Sequence, residues 1–195
     1  QLARGEQLLI TGRSGSGKST LLQLIAGLVE PARGEVSVAG QRVHALHGAA
    51  RDAFRGRHIG MIFQTFNLLH GFSALENVMA ALMFSTIPRA QHADRAAKLL
   101  SHLGITDHHK TPEQLSVGQQ QRVAVARSLA CDPVLVLADE PTASLDPENA
   151  ASAIDLIQSA CREKNAALLC VSHDPTTPAR FQRVVSLESI SSKRS

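Results

Sequence analysis

The chain has 195 residues, enough for one α/β domain of ordinary size and too few for two. Its composition is 44% apolar, but no apolar run approaches the roughly 18–20 residues that a membrane-spanning helix requires. The formal net charge is +3 and the Lys and Arg residues are scattered, which argues against a nucleic-acid face.

Residues 6–11 read as a buried strand, with no signal-peptide pattern before it. Gly12-Arg13-Ser14-Gly15-Ser16-Gly17-Lys18-Ser19-Thr20 follows. Residues 17–28 then carry helical spacing at Leu21, Leu22, Leu24, Ile25 and Leu28, closed by Val29-Glu30-Pro31. Strand, glycine-rich loop and helix form the order of a phosphate-binding loop. The glycines let successive N–H groups turn toward an anion, and the positive end of the helix adds to the attraction. Lys18 suits the β- and γ-phosphates, and the Ser19 hydroxyl suits Mg²⁺.

Residues 34–39 alternate apolar and polar side chains, which predicts a strand with one exposed face. A short polar helix is expected over 48–57 and a second buried strand over 58–63. Between 75 and 115 two helical patterns flank Pro88 with no strand signal. This segment reads as a helical subdomain inserted into a core formed by 1–74 and 116–195.

Residues 118–130 read as a helix with Val123, Ala126, Leu129 and Ala130 on one face. Ser116 is a good N-cap, so Ser116, Val117, Gly118 and Gln119 offer a second anion-binding helix end. It lies far along the chain from the first one, and a second copy is the natural source of a second phosphate site on one nucleotide. The run 134–138 has the character of a central parallel strand buried on both faces. Asp139 at its end would hold Mg²⁺, and Glu140 would orient or deprotonate an attacking water. A helix over 147–162 has Asp146 as N-cap and Pro147 in its first turn. Strands follow at 166–172 and 182–187, and 189–195 reads as a solvated end. Strand–helix alternation predicts an α/β fold, a P-loop domain with a mostly parallel sheet. The three cysteines, Cys131, Cys161 and Cys170, lack metal-ligand spacing and read as reduced thiols.

These motifs together resemble the nucleotide-binding domain of an ATP-binding cassette (ABC) transporter over nearly the whole chain. Six elements match in order. Residues 12–20 match the Walker A loop, and Gln64 matches the Q-loop glutamine. Residues 115–119 match the family signature, and 134–140 match Walker B with its glutamate. Ser144-Leu145-Asp146 matches the D-loop, and Ser172-His173-Asp174 matches the switch histidine. The resemblance implies ATP and Mg²⁺ as cofactors. It implies Ser19, Gln64 and Asp139 around the metal, Glu140 activating water, and His173 sensing the γ-phosphate. It implies that Ser116 and Gly118 act in trans, with two ATPs sandwiched in a head-to-tail homodimer. It also implies an integral-membrane permease subunit as partner, a peripheral place on the cytoplasmic face of the membrane, and no nucleic acid.

Phe63-Gln64-Thr65-Phe66-Asn67-Leu68-Leu69 and Leu75-Glu76-Asn77-Val78 are similar to the lipoprotein-release, macrolide-efflux and cell-division ATPases. Phe66, Leu68, Leu69 and Phe72 are either local core or a docking surface for the membrane partner. Three departures stand out. Val117 replaces the usual first glycine of the signature, and Ala143-Ser144 replaces the common Gly-Asn. The family also places two more strands before residue 6, with an aromatic residue stacked on adenine. This sequence has no Tyr or Trp and no Phe before the P-loop, so an N-terminally truncated cassette is expected. Two other function classes stay open. One is a soluble ABC ATPase acting on ribosomes or DNA. The other is an unrelated P-loop kinase, for which Ser116 would be dispensable.

Overall fold

A computed structural model describes residues 1–192. In chain order the elements are β1 (Gln7–Thr11), α1 (Lys18–Ile25), β2 (Ser37–Val38), β3 (Gln41–Arg42), α2 (Gly48–His58), β4 (Ile59–Ile62) and α3 (Ala74–Leu82). Then come α4 (His92–His102), α5 (Val117–Leu129), β5 (Leu135–Asp139), α6 (Pro147–Glu163), β6 (Ala167–Ser172), β7 (Arg183–Ser186) and α7 (Leu187–Ser192). Five strands form one sheet in the order β4-β5-β6-β1-β7, with every pair parallel.

The inner strands of the sheet are buried on both faces, and the period-two alternation of side chains divides the core in two. Leu9, Val136, Ala138, Leu168 and Cys170 face a core filled by α3, α4, α5 and α6. Ile10, Leu135, Leu137, Leu169 and Val171 face a smaller core with Leu22 and Ala26 from the α1 region. Each large side chain withdrawn from water in this way contributes about 1.5–3 kcal/mol. Gly60 in β4 sits so close to α5 that an added Cβ would lie 2.2 Å from the carbonyl oxygen of Ser128.

Helix ends follow their sequence signals. Ser73 and Glu76 form a capping box on α3, and Ser116 and Gln119 form one on α5. Asp146 caps α6 by accepting from the Asn149 N–H at 3.0 Å. The helix expected over 17–28 stops earlier, at Ile25. Gly27 takes φ +71°, its N–H bonds to Leu24 O, and the Leu28 N–H bonds to Gln23 O. That is a Schellman stop, which satisfies the last carbonyls before the proline is reached.

Two expectations need correction. The strand over 34–39 shrinks to two residues, because Ala39 (φ +51°) and Gly40 (φ +77°) make the tight turn of the β2–β3 hairpin. The end at 189–195 begins inside α7, which runs to Ser192; residues 193–195 lie outside the described residues. Between β4 and α5 the described elements are all helical, as the sequence predicts. Cys161 and Cys170 are buried and Cys131 is half-buried, all three as free thiols. Burial pushes the Cys161 thiol up to about 12 and the Cys170 thiol higher still, so neither ionises at neutral pH.

Candidate active site at the carboxyl ends of the strands

β1 delivers the P-loop at its carboxyl end. Gly15 (φ +76°) and Gly17 (φ +96°) both take left-handed backbone. A Cβ at either would meet nothing within 4 Å, so these positions need glycine for conformation and not for space. Arg13, Ser14, Gly15, Ser16, Ser19 and Thr20 are exposed and Gly12 is half-exposed, while Lys18 is buried beneath them. Lys18 Nζ donates to Gly12 O at 2.8 Å and Arg13 O at 3.1 Å. It also stands 3.3 Å from Glu140 Oε1.

β5 ends two strands away with the acidic pair. The Ser19 hydroxyl donates to Asp139 Oδ1 at 2.9 Å. Burial raises the pKa of Asp139, the Ser19 hydroxyl opposes this, and the neighbouring Glu140 carboxylate adds to the rise. Hydroxyl and carboxylate oxygens together form a hard donor set that fits Mg²⁺. Glu140 takes φ +47°, which costs a glutamate about 1–2 kcal/mol. Its carboxylate is held by the His173 N–H at 3.1 Å and by His173 Nδ1 at 2.9 Å. Lys18 and His173 therefore meet at one carboxylate, that of Glu140. A cleft of about 500 Å³ opens beside them, lined by Thr11, Gly12, Arg13, Ser14, His173 and Asp174 among others.

Other predicted residues lie outside this cluster. Gln64 is exposed at the end of β4, and its carbonyl accepts from Ser144 Oγ at 3.4 Å. Among the described residues its side chain has no hydrogen bond to Ser19 or Asp139. Ser116 accepts from the Gln119 N–H at 3.3 Å, and Gln119 Oε1 accepts from the Ser116 N–H at 3.0 Å. Val117 and Gly118 are exposed, and a Cβ on Gly118 would meet nothing within 4 Å. Among the described residues no hydrogen bond or ion pair joins residues 116–119 to the P-loop. They form an open helix end. Asp146 serves as the α6 cap. A concavity of about 640 Å³ lies elsewhere, between β1 and β2, with Leu8, Ile10, Val36 and Leu169 in its walls.

The ABC transporter family model matches residues 1–143. The chain belongs to the ABC transporter family. The lipoprotein-releasing system ATP-binding protein LolD of Chromohalobacter salexigens is 43% identical over 186 residues, covering 94% of this chain and 78% of that protein. The ABC transporter ATP-binding protein YtrE of Bacillus subtilis is 40% identical, covering 89% of this chain and 75% of that protein. A solved ATP-binding cassette, a dimer in a post-hydrolysis state with ADP and Pi, superposes with a TM-score of 0.83. It is 35% identical and covers 96% of this chain and 83% of that one.

The segment after Gln64 shows what sequence reasoning missed in this cassette. Phe66 (φ +58°) and Asn67 (φ +48°) are consecutive left-handed residues; this costs Phe66 about 1–2 kcal/mol, whereas asparagine tolerates it. Arg127 of α5 donates to both of their carbonyls. Asn77 of α3 is buried and brackets the next stretch, accepting from the Leu69 N–H and donating to Leu69 O, Phe72 O and Ser73 O. The apolar cluster divides accordingly: Phe66 and Leu68 are core, whereas Leu69 (43%) and Phe72 (49%) are exposed. The available signal was a single arginine in the apolar face of α5, between Ala126 and Leu129.

Proposed function

We propose that this cassette binds Mg-ATP and hydrolyses it, working with a second copy of itself to drive a membrane-embedded partner from the cytoplasmic face. The observation that carries this reading is the convergence of Lys18, Glu140 and His173 beside the Ser19–Asp139 pair. Lys18 and the loop N–H groups bind the β- and γ-phosphates. Ser19, Asp139 and Gln64 would hold Mg²⁺, which would supply charge neutralisation at the phosphate oxygens. Glu140 accepts a proton from water as the water oxygen attacks the γ-phosphorus and the bond to ADP breaks. His173 orients the Glu140 carboxylate and meets the γ-phosphate.

The open helix end at Ser116, Val117, Gly118 and Gln119 supplies its N–H groups to ATP held by the other copy, and Asp146 sits near that junction. Two sandwiched nucleotides follow from this arrangement, in keeping with the dimeric cassette that superposes on the chain. Residues 75–115 act as the helical subdomain, and exposed Leu69 and Phe72 beside Gln64 offer the membrane partner an apolar contact. Among the described residues no helix is long and apolar enough to cross a membrane.

Steady-state turnover of Glu140→Gln tests the assignment of the base. The expected result is nucleotide binding retained and turnover reduced about 10²–10⁴-fold. Turnover equal to that of the unchanged chain would remove Glu140 from the chemistry.

A further inference from the structure

We propose that Arg127 is a positioning residue that locks the Gln64 segment to the helix beginning at Ser116. Its Nη1 donates to Asn67 O at 2.5 Å and its Nη2 donates to Phe66 O at 2.6 Å. The two acceptors belong to consecutive left-handed residues, neither of them glycine, placed two and three positions after Gln64. The turn has its own ties. The Asn67 N–H bonds to Thr65 O at 2.7 Å, and Thr65 Oγ1 donates to Asn67 Oδ1 at 2.7 Å. These local bonds hold the turn's shape, and the buried Phe66 and Leu68 side chains seat it in the core, but none of these ties its backbone to α5. The Arg127 fork, a planar pair of donors matched to two adjacent carbonyls, provides the attachment.

The place of Arg127 on α5 gives this attachment its meaning. The N-terminus of α5 is the Ser116 capping box, and its last turn carries Arg127. A displacement of Ser116–Gly118 by a second copy moves α5 as a rigid rod. Through Arg127 that movement reaches Phe66 and Asn67, and thence Gln64 on one side and exposed Leu69 on the other. One side chain thus couples the inter-subunit helix end to the segment that faces the metal and the membrane partner. The effect on turnover rests on the reading of Gln64 as a metal donor; the effect on the backbone does not.

The experiment compares the unchanged chain with Arg127→Met, which keeps bulk and removes the donors, Arg127→Lys, which keeps charge without the fork, and Gln64→Ala. Amide hydrogen exchange is read first. Arg127→Met speeds exchange across residues 65–69 by about tenfold or more while residues 12–20 stay unchanged, and Arg127→Lys gives an intermediate result. No change at 65–69, or a uniform rise along the whole chain, overturns the proposal. The Mg²⁺ concentration for half-maximal ATP turnover is read second. Arg127→Met raises it about tenfold, the size expected when support behind a metal donor is lost. In the Gln64→Ala background the same change adds less than about twofold, because the two residues act in series. Full additivity overturns the coupling. If Gln64→Ala alone leaves the Mg²⁺ requirement unmoved, the metal reading of Gln64 fails and the exchange result decides the role of Arg127.

Discussion

Lys18 Nζ and Glu140 Oε1 stand 3.3 Å apart, and both side chains are almost wholly withdrawn from solvent, at 6% and 11% exposure. Charges so buried persist only when paired. The ammonium also bonds two P-loop carbonyls, and the carboxylate also meets His173. In the proposed reading, phosphate binding and water activation are therefore linked through one contact. An anion that engages Lys18 must change the surroundings of Glu140.

Lys18→Ala removes the charge that this arrangement is built around. A charge-assisted hydrogen bond is worth about 1.5–3 kcal/mol, so ATP affinity should fall roughly 10- to 150-fold. Calorimetric titration with ATP checks this. Equal affinity in the variant and the unchanged chain would contradict the P-loop assignment.

Gly60→Ala tests the packing of β4 on α5. The new methyl would lie 2.2 Å from a backbone oxygen, which cannot swing away as a side chain would. Forced overpacking of this kind costs about 1–3 kcal/mol or more. Urea unfolding should show a lower midpoint with little change in slope. Because β4 leads directly to Gln64, ATP turnover should fall as well.

The strands and the P-loop were legible because their signals are local. The run 134–138, Val-Leu-Val-Leu-Ala, is apolar without interruption, as suits a strand buried on both faces. The P-loop carries Gly15 and Gly17 at the positions where the backbone turns left-handed. Boundaries were less legible where two signals competed. Gly27 stops α1 before Pro31 can, and the Ala39-Gly40 turn removes most of a strand that alternation alone had extended. Within the site, Lys18–Glu140 and Arg127–Phe66 were illegible, because each joins residues far apart in sequence and depends on sheet order. The strand order β4-β5-β6-β1-β7 brings the first pair together. No window of sequence contains it.

Asp132 gives a pH-dependent prediction with a definite sign. Burial pushes its pKa up, but the Lys164 and Arg95 side chains outweigh this and hold it below the usual aspartate value. A depressed folded pKa adds stability above the unfolded value, and this is lost as pH falls through the folded one. The carboxylate is half exposed, so the gain is about 0.5–1 kcal/mol. Asp132 also has φ +48°, which asparagine tolerates, so Asp132→Asn isolates the charge. The variant should be less stable at pH 7 in urea, with the gap narrowing as pH is lowered toward the folded pKa. A gap that widens on acidification would reverse the sign of the argument.

The claim that two copies enclose nucleotide is tested most directly by the solution mass of Glu140→Gln, measured by light scattering with and without Mg-ATP. Slow turnover in this variant should hold the nucleotide in place. The account predicts a monomer without nucleotide, a dimer with ATP, and no dimer with ATP when Ser116→Arg is added. A monomer that has ATP bound and shows no shift in mass would contradict the shared site.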